Sequence, residues 1–223
     1  MNRAVVTVAT DRYVKGALRL ADRLVGMGEQ HRYWLDCLPP GTPPHKEVPY
    51  AFKATALRNV SRRFSTLLWA DACIYPVKPL TELWERIERD GAWIARNGWM
   101  NSEWTASSAY EALGVTREEN AQIPHVVATA FGLSLEHPKG RQLLDEYCRL
   151  GLETNAFQGP WTNRAPNLCG DASVMGHRHD QTALSVVAWR LGIPLEEEGL
   201  LSYGKVGDDD INPRTILLAD GSY

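Results

Sequence analysis

Thr66-Leu67-Leu68-Trp69-Ala70-Asp71-Ala72-Cys73 is the stretch that decides how this chain is read. A short apolar run ends in one acidic residue. Apolar runs of this length, bounded by polar residues, form buried strands of α/β sheets. In open α/β sheets, ligands bind at the carboxyl ends of strands. Asp71 therefore stands where a metal or a sugar would be held, or it caps the segment that follows.

The flanking segments alternate strand and helix. Ala4 to Ala9 is apolar and β-rich, and Thr10-Asp11-Arg12-Tyr13 breaks it. From Val14 to Met27, Leu18, Ala21, Leu24 and Val25 recur at helical spacing, and Gly26 and Gly28 end the pattern. Arg32 to Leu38 reads as a second strand before the loop Pro39-Pro40-Gly41-Thr42-Pro43-Pro44. Strand, helix, strand is the signature of a parallel sheet.

Further along, helices are expected over Phe52 to Arg63, Leu80 to Arg89, Glu103 to Leu113, Arg141 to Leu150 and Asp180 to Leu191. Strands are expected over Thr66 to Trp69, Ala92 to Ala95 and Thr215 to Leu218. Ile123 to Leu135 reads as one strand or a hairpin. Glu153 to Gly176 is a long loop rich in Asn, Gly and Pro, and loops of that length are often functional. No repeat and no internal boundary is evident, so residues 1–223 are expected to form one domain.

Composition narrows the function. The 223 residues carry 24 basic and 27 acidic side chains, a formal charge of -3 that attracts no nucleic acid. Arg58, Arg62 and Arg63 offer only a local basic face. The four cysteines, Cys37, Cys73, Cys148 and Cys169, show no CxxC spacing. No signal-peptide pattern and no apolar stretch of bilayer length is present, so a cytoplasmic protein with reduced thiols is expected. Eight Trp is a high count, and Asn97-Gly98-Trp99-Met100-Asn101 sets a ring among small polar residues. Trp99 and Asn101 are thus candidate sugar contacts, although buried anchors are the commoner role for Trp.

His177-Arg178-His179-Asp180-Gln181 is the densest polar cluster, at the start of a helix. Such a position meets an anion or a substrate hydroxyl. Alternatively, Asp180 is an N-cap and both histidines are solvated. A zinc site of His177, His179 and Cys169 matches no standard spacing. Lys53 is a candidate phosphate partner or a solvated helix charge. Asp208-Asp209-Asp210 is a possible hard-cation site or a solvated turn. The chain lacks GxxxxGK[ST], GxGxxG and GxSxG, which disfavours P-loop kinases, typical Rossmann dehydrogenases and α/β-hydrolases.

In their order, these pieces resemble GT-A-fold nucleotide-sugar glycosyltransferases. Val5-Val6-Thr7-Val8-Ala9-Thr10 with Tyr13 is similar to the opening strand, Phe52-Lys53 to the step before the central strand, and the Asp71 stretch to the DxD region. His179-Asp180-Gln181 resembles the late DQ element. The resemblance implies a mixed, mostly parallel α/β sheet flanked by helices. It implies sugar transfer from a nucleotide-sugar, a UDP-sugar foremost, to an unknown acceptor. Thr7, Thr10 and Tyr13 would contact the nucleotide, and Lys53 a phosphate. Asp71 would sit at the diphosphate, with Mn²⁺ or Mg²⁺, or at the sugar. Asp180, Gln181 and His179 would hold sugar hydroxyls or the acceptor. Cys73 replaces the second aspartate, and a thiol is a poor ligand for a hard cation. A degenerate domain that only binds a nucleotide, glycan or protein is the alternative.

Overall fold

Val5, Val6 and Val8 are β-branched residues suited to a pleated, buried surface, and they form the middle of β1 (Arg3–Ala9). A computed structural model describes residues 2–164, 167–208 and 211–221. β1 pairs in parallel with β2 (His31–Leu35) on one side and with β3 (Thr66–Ala70) on the other. β6 (Pro124–Ser134) runs antiparallel to β3, and β5 (Ala92–Met100) antiparallel to β6. The order is β2-β1-β3-β6-β5. Only β6 is reversed among these strands, so the sheet is mixed and mostly parallel, as the family resemblance implied.

Alternation along the strands divides the core into two layers. Ala4, Val6, Leu67 and Trp69 face α2 (Ala51–Val60), α6 (Pro138–Glu153) and α7 (His179–Arg190). Val5, Leu68 and Ala70 face α1 (Val14–Gly26) and α3 (Thr81–Asp90). That second layer also takes in a small sheet, ordered β4 (Ile74–Pro76), β8 (Leu217–Ala219) and β7 (Leu201–Tyr203). Ion pairs between Arg19 and Asp220 and between Arg86 and Glu198 fasten this C-terminal strap to α1 and α3.

Several expected elements differ. The helix expected over 103–113 is two single 3-10 turns, Asn101–Trp104 and Ser107–Ala109, followed by α4 (Tyr110–Leu113). Thr105 and Ala106 are extended between the turns, and the Thr105 hydroxyl donates to Asn101 O, closing the first one locally. β5 continues past Ala95 to Met100 by shifting register against β6. Residues 123–135 give one long strand, not a hairpin. β4 and β7 have three residues each, too short to show a period, as has α5 (Arg117–Asn120) with four. Of the acidic run, Asp208 accepts from its neighbour Lys205 N, while Asp209 and Asp210 lie outside the described residues.

α6 is seated closely on the sheet. Pro138 opens it and His137 Nδ1 accepts from Lys139 N, which supplies the cap. A Cβ on Gly140 would stand 2.2 Å from Ser134 O and 2.4 Å from Gly91 O, both backbone atoms. Gly140→Ala should therefore cost about 1–3 kcal/mol, because rigid backbone has to move. Gly26→Ala, with nothing within 4 Å of its added Cβ, should be neutral or stabilising by up to about 1 kcal/mol. Urea unfolding of both variants checks this, and equal effects would mean that the seat of α6 is soft.

Candidate functional site

The first turn of α2 points one long side chain into the protein. Lys53 is only 2% exposed, and three acceptors surround its ammonium. Asp180 Oδ2 lies at 3.0 Å, Asp71 Oδ1 at 3.1 Å and Ala128 O at 2.8 Å. An ammonium has three protons, and all three are taken. Trp69 Nε1 donates to Asp71 Oδ1 at 2.7 Å. Tyr147, from α6, donates its hydroxyl to Asp180 Oδ2 at 3.4 Å. Burial opposes the charge on Lys53, yet Asp180 and then Asp71 hold its pKa above the usual lysine range. Burial also pushes both carboxyls up, against the pull of Lys53.

Asp71 is the outward member of this cluster, with 26% of its side chain exposed against 5% for Asp180. It lines a cavity of about 520 Å³ at the ends of β1 and β3. Thr10, Asp11 and Tyr13 form the β1 side of the wall, His45 and Tyr50 another, and Cys73 stands beside Asp71. Among the described residues, four non-glycine residues have left-handed backbone: Asp11 (φ 52°), Asp36 (φ 55°), Tyr50 (φ 62°) and His179 (φ 45°). Asp11 and Tyr50 line the cavity, Asp36 Oδ1 accepts from Asp11 N, and His179 precedes Asp180. Strained backbone gathered around a single pocket is typical of a functional site.

Other sequence expectations are corrected. Thr7 is fully buried and donates to Ala70 O, so it braces β1 against β3 and cannot touch a nucleotide. Asn101 is buried and bonded to Asn120 Oδ1, His125 Nδ1 and Thr182 O, a structural role in place of the expected sugar contact. Lys53 is neither a solvated charge nor a free phosphate partner, because its protons are committed. Trp99 lies outside the cavity wall, edge-on to Trp104 at 5.9 Å. The N-cap of α7 is Arg178, so Asp180 sits inside the first turn and is not the cap. Gln181 follows it, half-buried.

The histidines are not solvated. His177 Nε2 bonds Ala156 O (3.0 Å) and its Nδ1 accepts from Ala106 N (3.3 Å), so neither nitrogen is left for zinc. His179 Nδ1 bonds Phe157 O (2.9 Å) and its ring stacks on Trp161. These bonds fold the long loop back onto the start of α7. Burial pulls His177 down to about 3 and His179 to about 4. Cys169 packs with Ala106 and Val174.

The residues present do not fit Mn²⁺ or Mg²⁺. Asp71 Oδ1 already receives Trp69 and Lys53, and a dication beside that ammonium would meet a like charge. Cys73 offers soft sulfur where a second hard oxygen is needed. Among the described residues, no group of three or more His, Cys, Asp or Glu is arranged to hold a metal ion.

Sequence reading missed Tyr50, His45 and Tyr147, which carry no motif and reach the site only through the fold, and it gave Trp69, two residues before Asp71, no role at the site. It missed Tyr203 too, whose hydroxyl meets Thr129 Oγ1 at 3.1 Å, while Thr129 O accepts from Asp71 N at 2.8 Å.

No protein-family model matches the chain, and no curated protein matches it in sequence. Solved structures do match in fold. One is the apo structure of WbbM, a bifunctional glycosyltransferase, at TM-score 0.56 and 9% identity; all of this chain aligns with it, spanning 46% of that protein's chain. Another is a glycosyltransferase involved in glycosylation of the major capsid of PBCV-1, at TM-score 0.55 and 11% identity, covering 100% of this chain and 96% of that one. The chain thus has the fold of these glycosyltransferases.

Two measurements probe the buried charges. Lys53→Met strands two carboxylates and should cost about 3–5 kcal/mol, while adding Asp180→Asn should recover part of the loss. If the double variant were no more stable than Lys53→Met, the pairing would be energetically silent. His177 is neutral when folded but titrates near its ordinary value when unfolded. Its contribution is full above pH 6.5 and is lost as pH falls towards about 3. At pH 5 the loss should be about 2 kcal/mol. Stability of His177→Asn should accordingly fall less steeply than wild type between pH 7 and 5. Parallel slopes would show that His177 binds its proton equally in both states.

Proposed function

We propose that residues 1–223 form one GT-A-like domain that transfers a sugar from a nucleotide-sugar, a UDP-sugar foremost, to an acceptor. The observation that carries this reading is Asp71. It is a partly exposed carboxylate at the end of β3, held in place by Lys53 and Trp69, on the wall of a cavity large enough for a nucleotide. The glycosyltransferase fold of the structural neighbours supports it.

In this reading the nucleotide lies along Thr10 and Tyr13. Asp71 accepts hydrogen bonds from hydroxyls of the donor sugar, which fixes the anomeric carbon towards the acceptor. Lys53 opposes the upward pull of burial on the Asp71 carboxyl and holds it in one rotamer. Asp180, deeper, is the second carboxylate paired with the same ammonium. Gln181, at the start of α7, addresses the acceptor side. Arg12 stacks at 5.0 Å on the Tyr13 ring. Its guanidinium supplies positive charge to the diphosphate in a site whose residues suit no divalent metal.

Asp71→Asn should keep the fold and lower release of nucleoside diphosphate from a panel of nucleotide-sugars by roughly 100-fold or more. Undiminished turnover in the folded variant would remove Asp71 from the site. Calorimetric UDP affinity of the wild type should be unchanged by Mn²⁺. Cys73→Asp, which adds a hard ligand at the cavity wall, should make it Mn²⁺-dependent. Manganese tightening in the wild type would overturn the metal-free reading.

A further inference from the structure

Aromatic rings leave the cavity in an unbroken series. Tyr50, in the cavity wall, lies 5.6 Å from the His179 ring, which stacks on Trp161 at 5.6 Å. The Arg178 guanidinium stands 4.0 Å from the Trp161 ring centre and 3.9 Å from that of Trp104. Trp104 meets Trp99 edge-on at 5.9 Å. The series starts at Tyr50 in the cavity wall, passes His179, one residue before Asp180, and ends at Trp99, outside the wall.

Two of its members are costly to leave in water. Trp161 is 50% exposed and Trp99 is 45% exposed. Neither is needed to close the core, since neither belongs to a buried cluster. Trp161 is nevertheless held firmly, because Arg178 Nη1 donates to its carbonyl at 2.6 Å. Among the described residues it is the one hydrogen bond made by the Arg178 guanidinium, which has five N–H groups. Rigid, half-exposed indoles alternating with a partly committed guanidinium suit a ligand with apolar faces and hydroxyl edges. A pyranose has both: its axial C–H groups pack on a ring, and its hydroxyls accept from Arg.

We propose that this series is the binding track for an oligosaccharide acceptor, whose growing end reaches Gln181 and Asp71 while earlier sugars lie along Trp161, Arg178, Trp104 and Trp99. The proposal rests on the glycosyl-transfer reading and adds the acceptor class to it. Continuity of the track with the cavity through Tyr50, whose ring lies 6.4 Å from that of Trp161 over the buried His179, favours a saccharide acceptor over an unrelated docking partner.

The test is titration of the chain with maltotetraose, cellotetraose, chitotetraose and mannotetraose and with their monosaccharides, read by tryptophan fluorescence and saturation-transfer NMR. UDP binding to the wild type is measured alongside. At least one tetrasaccharide should bind about tenfold more tightly than its monosaccharide, the equivalent of a well-stacked extra ring. Trp99→Ala and Trp161→Ala should each remove most of that advantage, and Trp99→Phe should restore much of it. UDP binding with no dependence on saccharide length overturns the track and leaves the transfer reading standing. Alanine variants that bind the tetrasaccharide as the wild type does also overturn it. Length-dependent binding without affinity for any nucleotide supports the track and overturns the donor reading.

Discussion

One buried ammonium organises this molecule. Lys53 brings together α2, the end of β3, the strand β6 and the start of α7. Removing charge from water is expensive, and pairing returns the cost only when geometry is good and remaining protons find acceptors. Here each of the three protons has one. The cluster does not need to add stability to matter. It permits one arrangement of these elements, because any slip leaves a charge buried without its partner. Tyr147 extends the constraint to α6 through Asp180.

That constraint explains how strained backbone persists beside it. Asp11, Asp36, Tyr50 and His179 each adopt a left-handed conformation that costs roughly 1–2 kcal/mol for a side chain of this kind. Tyr50 comes three residues before Lys53 and His179 one before Asp180, so the two charged residues fix the helices whose entries are strained. The sheet holds the other pair, since Asp11 follows β1 and Asp36 follows β2, and Asp36 receives the Asp11 amide. Strain is thus confined to the edge where strands end and a ligand would enter.

The internal cation also changes what Asp71 can do. A carboxylate facing open solvent would recruit a hard metal through free oxygens. This one shares a single ammonium with Asp180, and its Oδ1 also receives the Trp69 indole. The long loop completes the same edge from the other side. His177 and His179 tie it down through backbone carbonyls of Ala156 and Phe157, and Trp161 is thereby stacked on His179. Cavity and aromatic series are consequently built on one rigid base.

How much of this was legible beforehand follows from the range of each interaction. The sequence determined β1, α1, β3 and α7, because strand and helix periods are local and Gly26 punctuates them. It also determined that Asp71 ends a central strand, that the chain after α6 enters a long loop, and that Asp180 lies in the first turn of a helix. It did not determine which polar residues face a ligand. Thr7 and Asn101 look like site residues by neighbourhood, yet their partners, Ala70 O and Asn120, lie 63 and 19 residues away. Lys53 looks like a surface charge because its two carboxylates are 18 and 127 positions along the chain. The C-terminal sheet was hidden for the same reason, since strands of three residues have no period and form only when partners arrive from elsewhere. Local pattern decides which elements exist; the long-range pairing of charges and hydrogen bonds decides which side chains are spent on structure and which remain for chemistry.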